Sequence, residues 1–381
     1  MSLVLLGSTS GSVTLQEPAI AGSTTINLPA TSGTMAVLPT ATSVLPEASG
    51  GTGTTTGYYG FKNRIINGAM VIDQRNAGAE VNPAVNATYY LDRWSVLSTQ
   101  TSKFKIGQNA GSVTPPAGYT NYLGITSLSS YSVTSTDVFE VRQNIEGFNI
   151  ADLGYGAAGA ATVTLSFWVR SSLTGTFGGA LQNSAYNYTY PFTFTISAAN
   201  TWEQKTITIV GATSGTWLTT NGNGLRVVFG LGVGSTYSGT AGAWAGTEYH
   251  SATGAVSVVG TNSATFYLTG VQLEKGSTAT SFDYRPYGTE LALCQRYYQF
   301  INRINFSPIS GNARLLAPAP QVPPRTTPAM TTTSNALLES GSAQTLPIWA
   351  GMDLSGAAYS NSISYTTNTN YSYNVIWSSE L

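Results

Sequence analysis

The sequence predicts an all-β protein: an N-terminal strand-repeat shaft or anchor, a central β-sandwich, and a small C-terminal β-domain joined to it by a short helix. Three observations carry that prediction. Short runs of apolar/polar alternation recur between clusters of Gly, Asn and Ser, which is the period of a half-buried strand. A strand-and-turn pattern occurs twice near the start. Only one convincing stretch among the 381 residues has the three-and-four spacing of an amphipathic helix.

Residues 1–57 form the first part, with no Lys or Arg and with Glu17 and Glu47 as their only acids. Gly11–Ala19 and Gly22–Ala30 share the pattern G-S-x-T-[LI]-[QN]-x-P-A. Each copy is one short strand between a Gly-Ser turn and a proline, too small to bury an apolar face alone, so the repeat needs neighbours. Glu47–Gly57 reads as a flexible hinge of Gly, Ser and Thr.

The second part, residues 58–287, carries the sandwich pattern. Val163, Leu165, Phe167 and Val169 alternate with Thr164, Ser166, Trp168 and Arg170. Phe192, Phe194 and Ile196 alternate with Thr193 and Thr195, and Ile207 and Ile209 with Thr206 and Thr208. Leu225, Val227, Phe229, Leu231 and Val233 continue the theme. Between Ala264 and Glu274 the apolar positions change parity, from Phe266 and Leu268 to Val271 and Leu273, which marks Gly270 as a bulge. In the third part, residues 288–381, Thr289 is a candidate N-cap for a helix to Ile301, with Leu291, Cys294, Tyr298 and Ile301 along one face. Pro-rich edges (Pro318, Pro320, Pro323, Pro324, Pro328) and an alternating run, Tyr371, Tyr373, Val375 and Trp377, follow.

Charge is scarce: 16 Lys and Arg with 17 Asp and Glu make 9% of the chain, against roughly 25% in ordinary soluble proteins. Hydroxyl and amide side chains take its place at the surface, while 42% hydrophobic residues leave enough for a packed core, unlike a disordered chain. A net charge of −1 removes the basic footprint that nucleic-acid binding or attraction to anionic lipid requires. The apolar run Leu3–Leu6 is too short for a secretory segment, and no stretch of about 20 apolar residues occurs, so membrane insertion is not expected. Cys294 is the one cysteine, which excludes an internal disulfide and a multi-thiolate metal site.

Signals of catalysis are thin. The single histidine, His250, reads as a surface or loop residue. Gly154-Tyr-Gly-Ala-Ala-Gly159 matches G-x-G-x-x-G but leads into a strand, and without a helix N-terminus it makes no dinucleotide site. Acids for glycoside cleavage would come from a small pool, Asp137, Glu140, Glu146, Asp152, Glu203, Glu248 and Asp283, and no dense carboxylate cluster supports calcium. The expectation is a protein without enzymatic activity, cofactor or metal.

Aromatic residues are the better functional sign, because a sugar stacks its C–H face on a ring while its hydroxyls bond amides and carboxylates. Trp94 reads as core, and so do Tyr186, Tyr188 and Tyr190, which share parity with Phe192 and Phe194 if the strand is unbroken through Pro191. Trp168 shares the polar parity of Ser166 and Arg170, so it faces a groove or a subunit contact. Trp217, Tyr237, Trp244 and Tyr249 lie in Gly/Ser/Thr-rich loops, where aromatics are often contact residues. Trp349, Tyr359, Tyr365, Tyr371 and Tyr373 in the distal part complete the candidate ligand contacts, with subunit packing as their alternative.

Five stretches, Asn63–Arg75, Tyr90–Trp94, Gly270–Gly276, Phe282–Tyr287 and Glu290–Tyr298, together resemble bacteriophage tail-fibre and related virion-fibre proteins in order and spacing. The resemblance implies that the middle part is a jelly roll of the carbohydrate-binding-module type, with Gly270–Gly276 as a late core strand. It also implies that Pro323–Ala329 heads a distal domain, and that the N-terminal repeat and hinge are a virion-proximal shaft. Residues 330–381 carry none of it. Its further implications are a homotrimer in the virion, made in the host cytoplasm, with another virion protein at its N-terminal end. The expected function is attachment of a phage particle to a host surface glycan or envelope component through multivalent weak binding. The alternative is a head, neck or collar decoration fibre with a structural role.

Overall fold

The structure, a computed structural model, describes residues 61–301, 320–326 and 376–381 with their side chains, and beyond them the backbone of the strands named below. The chain divides into two compact units, residues 1–58 and 59–381. In the first, β1 (Leu3–Leu6) and β2 (Ser12–Leu15) pair antiparallel, Leu3 opposite Leu15. β2 is the strand of the first repeat copy, and its partner is the preceding leucine run. The second copy and the Glu47–Gly57 hinge lie outside the described residues.

The second unit is an all-β sandwich with a small C-terminal β-domain. Its strands are β3 (Thr88–Leu91), β4 (Trp94–Ser98), β5 (Phe104–Gln108), β6 (Leu123–Ser127), β7 (Val138–Glu146), β8 (Val163–Ser171), β9 (Gly175–Gln182), β10 (Thr189–Ile196), β11 (Glu203–Ile209), β12 (Asn223–Val233), β13 (Ser238–Gly239), β14 (Ser251–Ala252) and β15 (Thr265–Lys275). One sheet runs β10-β9-β12-β7-β4-β3 and the other β11-β8-β15-β6-β5. Alternation decides what lies between them. Trp94, Val96, Phe139, Val141, Phe192, Val227 and Phe229 are buried from the six-stranded sheet, and Ile106, Ile125, Leu165, Phe167, Leu268 and Leu273 from the five-stranded one. Phe167 meets Phe194 and Phe229 edge-on at 5.0 Å, the arrangement that ring quadrupoles favour. The strand run through Pro191 stops short of its predicted start. β10 begins at Thr189, so Tyr190 is core, whereas Tyr186 sits in the preceding turn at φ +60° and Tyr188 is half-buried outside the strand.

Gly270 is the bulge that the parity change predicts. Thr269 lies opposite Trp168 and Gln272 opposite Ser166, so two residues of β15 face one of β8. Gly270 has φ +59°, and a Cβ there would lie 2.6 Å from the Tyr119 ring. Gly270→Ala should therefore destabilise the protein by about 2 kcal/mol, from left-handed backbone strain and a displaced Tyr119. An unchanged midpoint in denaturant unfolding would refute this.

The five stretches that carry the family resemblance meet at one end of the sandwich, on residues 63–76, which have no strand of their own. A buried segment without secondary structure must satisfy its backbone some other way, and here side chains do it. Asn63 Nδ2 donates to the Val271 carbonyl at 3.0 Å, and its Oδ1 accepts from the Leu273 amide at 3.0 Å, just past the bulge. Gln143 bonds both the amide and the carbonyl of Ile66 at 2.8 Å. Asn67 bonds Ile72 and the Asp92 carbonyl, while the Trp94 indole donates to the Asn67 carbonyl at 3.0 Å. Arg285 donates to the carbonyls of Asn63 and Ile65 and pairs with Glu290. The polar residues Asn63, Asn67, Arg285 and Glu290 of these stretches are thus architectural.

The helix is shorter than predicted. α1 spans Tyr287–Gln295 with Pro286 at its N-cap, so Thr289 lies inside the first turn. The chain turns at Arg296, held by the Glu146 carboxylate at 2.7 Å, and Tyr298 opens β16 (Tyr298–Phe306). Leu291 and Cys294 keep the inward helical face, against Ile66 and Ile72, but Tyr298 and Ile301 are strand residues. The distal strands are β17 (Asn312–Ala313), β18 (Ala329–Thr333), β19 (Trp349–Met352), β20 (Ala358–Ser360), β21 (Ile363–Ser364) and β22 (Tyr371–Ser378). β22 lies between β16 and β18. Its continuation roots this domain on the sandwich: Glu380 pairs with Arg75 and Arg93, and the Leu381 carbonyl accepts from Tyr89 and Asn144 at 2.9 Å. No described helix is long and apolar enough to cross a membrane.

Candidate functional site

The outer faces of the two sheets differ. On the six-stranded sheet the loop from Tyr249 to Val256 lies directly on the strands, because glycines leave it room: a Cβ at Gly178 would sit 2.4 Å from Ser251 Oγ, and one at Gly230 2.9 Å from it. On the five-stranded sheet Trp168 and Arg170 of β8 are half-buried and Gln204, Thr206 and Thr208 of β11 exposed, whereas Thr164, Ser166, Thr269, Gln272 and Glu274 are buried. Trp168 lies beside Tyr119. The Tyr119 ring packs on that of Tyr284, whose hydroxyl donates to the Gly118 carbonyl at 2.7 Å. Burial first, then the neighbouring Tyr284, pushes the Tyr119 phenol well above its ordinary range.

Tyr119, Phe282 and Tyr284 form an aromatic wall with centroids 4.8–5.6 Å apart. Opposite lies a cleft of about 230 Å³ that Asn63, Gly68, Thr120, Asp283, Arg285 and Glu290 help to line. Tyr284 is 57% exposed at its mouth. A second group, Tyr122, Trp202 and Tyr267, sits further along the same face, with the Arg170 guanidinium 5.4 Å from the Tyr267 ring centre. The exposed ring faces are what a polyhydroxylated ligand with one apolar face can stack on, while Asn63 and Arg285, engaged with backbone groups, shape the cleft rather than offer it free bonds. Of these residues Trp168 was a candidate ligand contact and Asp283 one of the pooled acids. Tyr119 and Tyr284 escape sequence reasoning because their loops reach the sheet only through the fold; the nearest signal is Phe-Asp-Tyr in Phe282–Tyr284.

The other candidates fall into three groups. Trp217 is buried, in ring contact with Tyr155 at 4.9 Å and Trp244 at 5.5 Å. Trp244 is half-buried and stacks on Tyr188 at 5.6 Å, so these loop tryptophans close one end of the core. Tyr237 and Tyr249 flank His250 over the six-stranded sheet. The strands bearing Trp349, Tyr359, Tyr371 and Tyr373 are described by backbone alone, and Tyr365 lies outside the described residues.

His250 is not at the surface. It is 1% exposed, its Nδ1 is 2.7 Å from Glu140 and its Nε2 3.0 Å from Glu248. Burial disfavours the imidazolium, but Glu140 and then Glu248 outweigh it and push the pKa up to about 9. The pooled acids are likewise engaged. Asp137, despite burial, is held at about 2 by bonds from Thr134, Thr99 and Tyr131. Glu146 binds Arg296 and Tyr297, and Glu203 binds Lys205. Gly154, Gly156 and Gly159 all take positive φ in a loop that enters β8, not a helix. Among the described residues no group of three His, Cys, Asp or Glu is placed to hold a metal.

No protein-family model matches the chain, and no curated protein matches it. Solved structures give distant likenesses. The enzymatically active domain of bacteriophage CBA120 tailspike protein 4 aligns at 10% identity and a TM-score of 0.30, covering 56% of this chain and 22% of that one. A family 4 carbohydrate-binding module aligns at 15% identity and 0.28, covering 55% and 98%. The family 11 module of the Clostridium thermocellum cellulase Lic26A-Cel5E aligns at 12% identity and 0.26, covering 52% and 99%. At these values neither ligand nor activity transfers.

Proposed function

We propose that the chain is a non-enzymatic virion fibre protein whose sandwich binds a host surface glycan in the cleft between the Tyr119–Phe282–Tyr284 wall and the 63–71 segment. The observation that carries the binding is that wall, solvent-facing at Tyr284 and opposed by Asn63, Asp283 and Arg285. The sequence resemblance supports the virion role, a trimeric state and an N-terminal partner in the particle. A cleft this small takes one or two sugar rings, so single-site affinity is weak, and several chains on one particle supply the avidity.

The test is a glycan array followed by titration of the best ligand. Tyr284→Ala and Trp168→Ala should each weaken binding by about tenfold, roughly 1.4 kcal/mol, with little loss of stability for the exposed Tyr284. Wild-type chain that binds no glycan favours the decoration-fibre reading. Binding that survives both substitutions moves the site elsewhere.

A further inference from the structure

The outer face of the six-stranded sheet collects polar atoms that lack partners. Gln182 on β9, Arg226 on β12 and Asn144 on β7 stand in one row, and Ser95 on β4 lies opposite Arg142 on β7. Arg226 Nε, Arg142 Nε, Gln182 Oε1, Asn223 Oδ1 and Ser95 Oγ are all buried without a hydrogen bond. Charge is unbalanced too. Glu140 serves both Arg142, at 3.1 Å, and His250, whereas Arg226, 8% exposed, is joined to no carboxylate among the described residues. Its guanidinium donates to the carbonyls of Asn183 and Ser184 at 2.9–3.2 Å and lies 3.8 Å from the Tyr186 ring centre. Arg142 reaches the Tyr186 hydroxyl at 3.2 Å, so one ring covers both arginines.

We infer that Arg142 and Arg226 form a binding site for the carboxylate of an acidic sugar residue, covered by the Asn183–Tyr188 turn. The unpartnered donors need an oxyanion and the unpartnered acceptors, Gln182 Oε1 and Asn223 Oδ1, need hydroxyls; a sugar acid supplies both. Guanidinium forks take a carboxylate bidentately. The turn is closed by its own bonds, Asn183 Nδ2 to Asn187 Oδ1 at 2.7 Å and the Tyr186 amide to the Asn183 carbonyl at 3.3 Å. It is tied down by Asn183 Nδ2 to the Thr216 carbonyl at 3.2 Å and by Tyr188 on Trp244, contacts that a ligand must outweigh to lift it and take over Arg226. The site is on the opposite sheet from the aromatic cleft and does not rest on it.

The test titrates the full chain with an oligogalacturonate and with a neutral galacto-oligosaccharide of the same length. The acidic sugar should bind at least about tenfold more tightly. Arg226→Met should lower its affinity by about tenfold or more. Arg226→Lys keeps the charge without the fork and should also weaken binding, with the fold retained. Equal affinity for the two sugars, no binding of the acidic one, or undiminished binding by Arg226→Lys overturns the inference. Failure here leaves the cleft untouched, since that is read with the Tyr284 and Trp168 variants.

Discussion

Glu380→Ala should cost the fold about 3–5 kcal/mol, the largest single-residue loss outside the apolar core. Arg93 is 1% exposed, and its guanidinium lies 3.5 Å from the Tyr297 ring centre, with Glu380 as its carboxylate partner. Glu380 also pairs with Arg75, which stacks 3.7 Å from the Tyr298 ring centre. Alanine leaves one fully and one largely buried cation without a counter-charge, whereas an exposed ion pair would be worth 1 kcal/mol at most. Denaturant unfolding measures it. Combining the change with Arg93→Met should restore part of the loss, since only Arg75, the more accessible of the two cations, is then left without Glu380. A loss below about 1 kcal/mol for Glu380→Ala would show that the pair is solvated in practice.

Stability should also fall as the pH rises from 6.5 to about 9, the window set by His250. The sign follows from the shift: the folded imidazole holds its proton more tightly than the unfolded one, so the stabilisation is complete below pH 6.5 and lost as pH passes the folded value near 9. The full effect is on the order of 3 kcal/mol. Glu140, buried and drawn down mainly by His250 against the cost of burial, acts the other way, its contribution fading as acid is added. The groups facing the imidazole are Glu140 and Arg142 from β7, Glu248, Tyr186 and Tyr237. Thermal melts of wild type and His250→Asn from pH 6 to 9.5 decide it: the slope should be present in the first and nearly flat in the second. Parallel curves would place the titrating group elsewhere.

What the sequence revealed and what it hid have one cause. Alternation names the two sides of a strand, so β8, β10 and β12 and the inward Trp94 could be read directly, and the parity break at Gly270 located a bulge to the residue. Alternation does not say what covers the outer side. Glu140, Arg142 and Asn144 occupy the polar parity of β7 and are nonetheless buried, because His250, Tyr186 and Leu381 respectively lie against them. His250 was hidden for the same reason. The Tyr119–Tyr284 wall joins loops 165 residues apart in sequence, and no local pattern records that meeting. The helix was overrun because Tyr298 and Ile301 fit its period as well as they fit β16; pairing with β22 decided the matter.

The strandless segment at Asn63 also fixes an order of events in time. Its anchoring bonds to Val271, Leu273 and Arg285 span 208 to 222 residues of chain. Bonds of such range carry a heavy loop-closure cost and slow folding. On the ribosome these residues emerge among the first of the second unit, yet they cannot seat until β15 and Arg285 have been made. Ile66 and Leu273 amides should accordingly be among the last to gain protection in a refolding pulse-labelling experiment, and early protection of Ile66 would contradict that order. The segment from Asn63 to Asn76 is thus translated early and locked late.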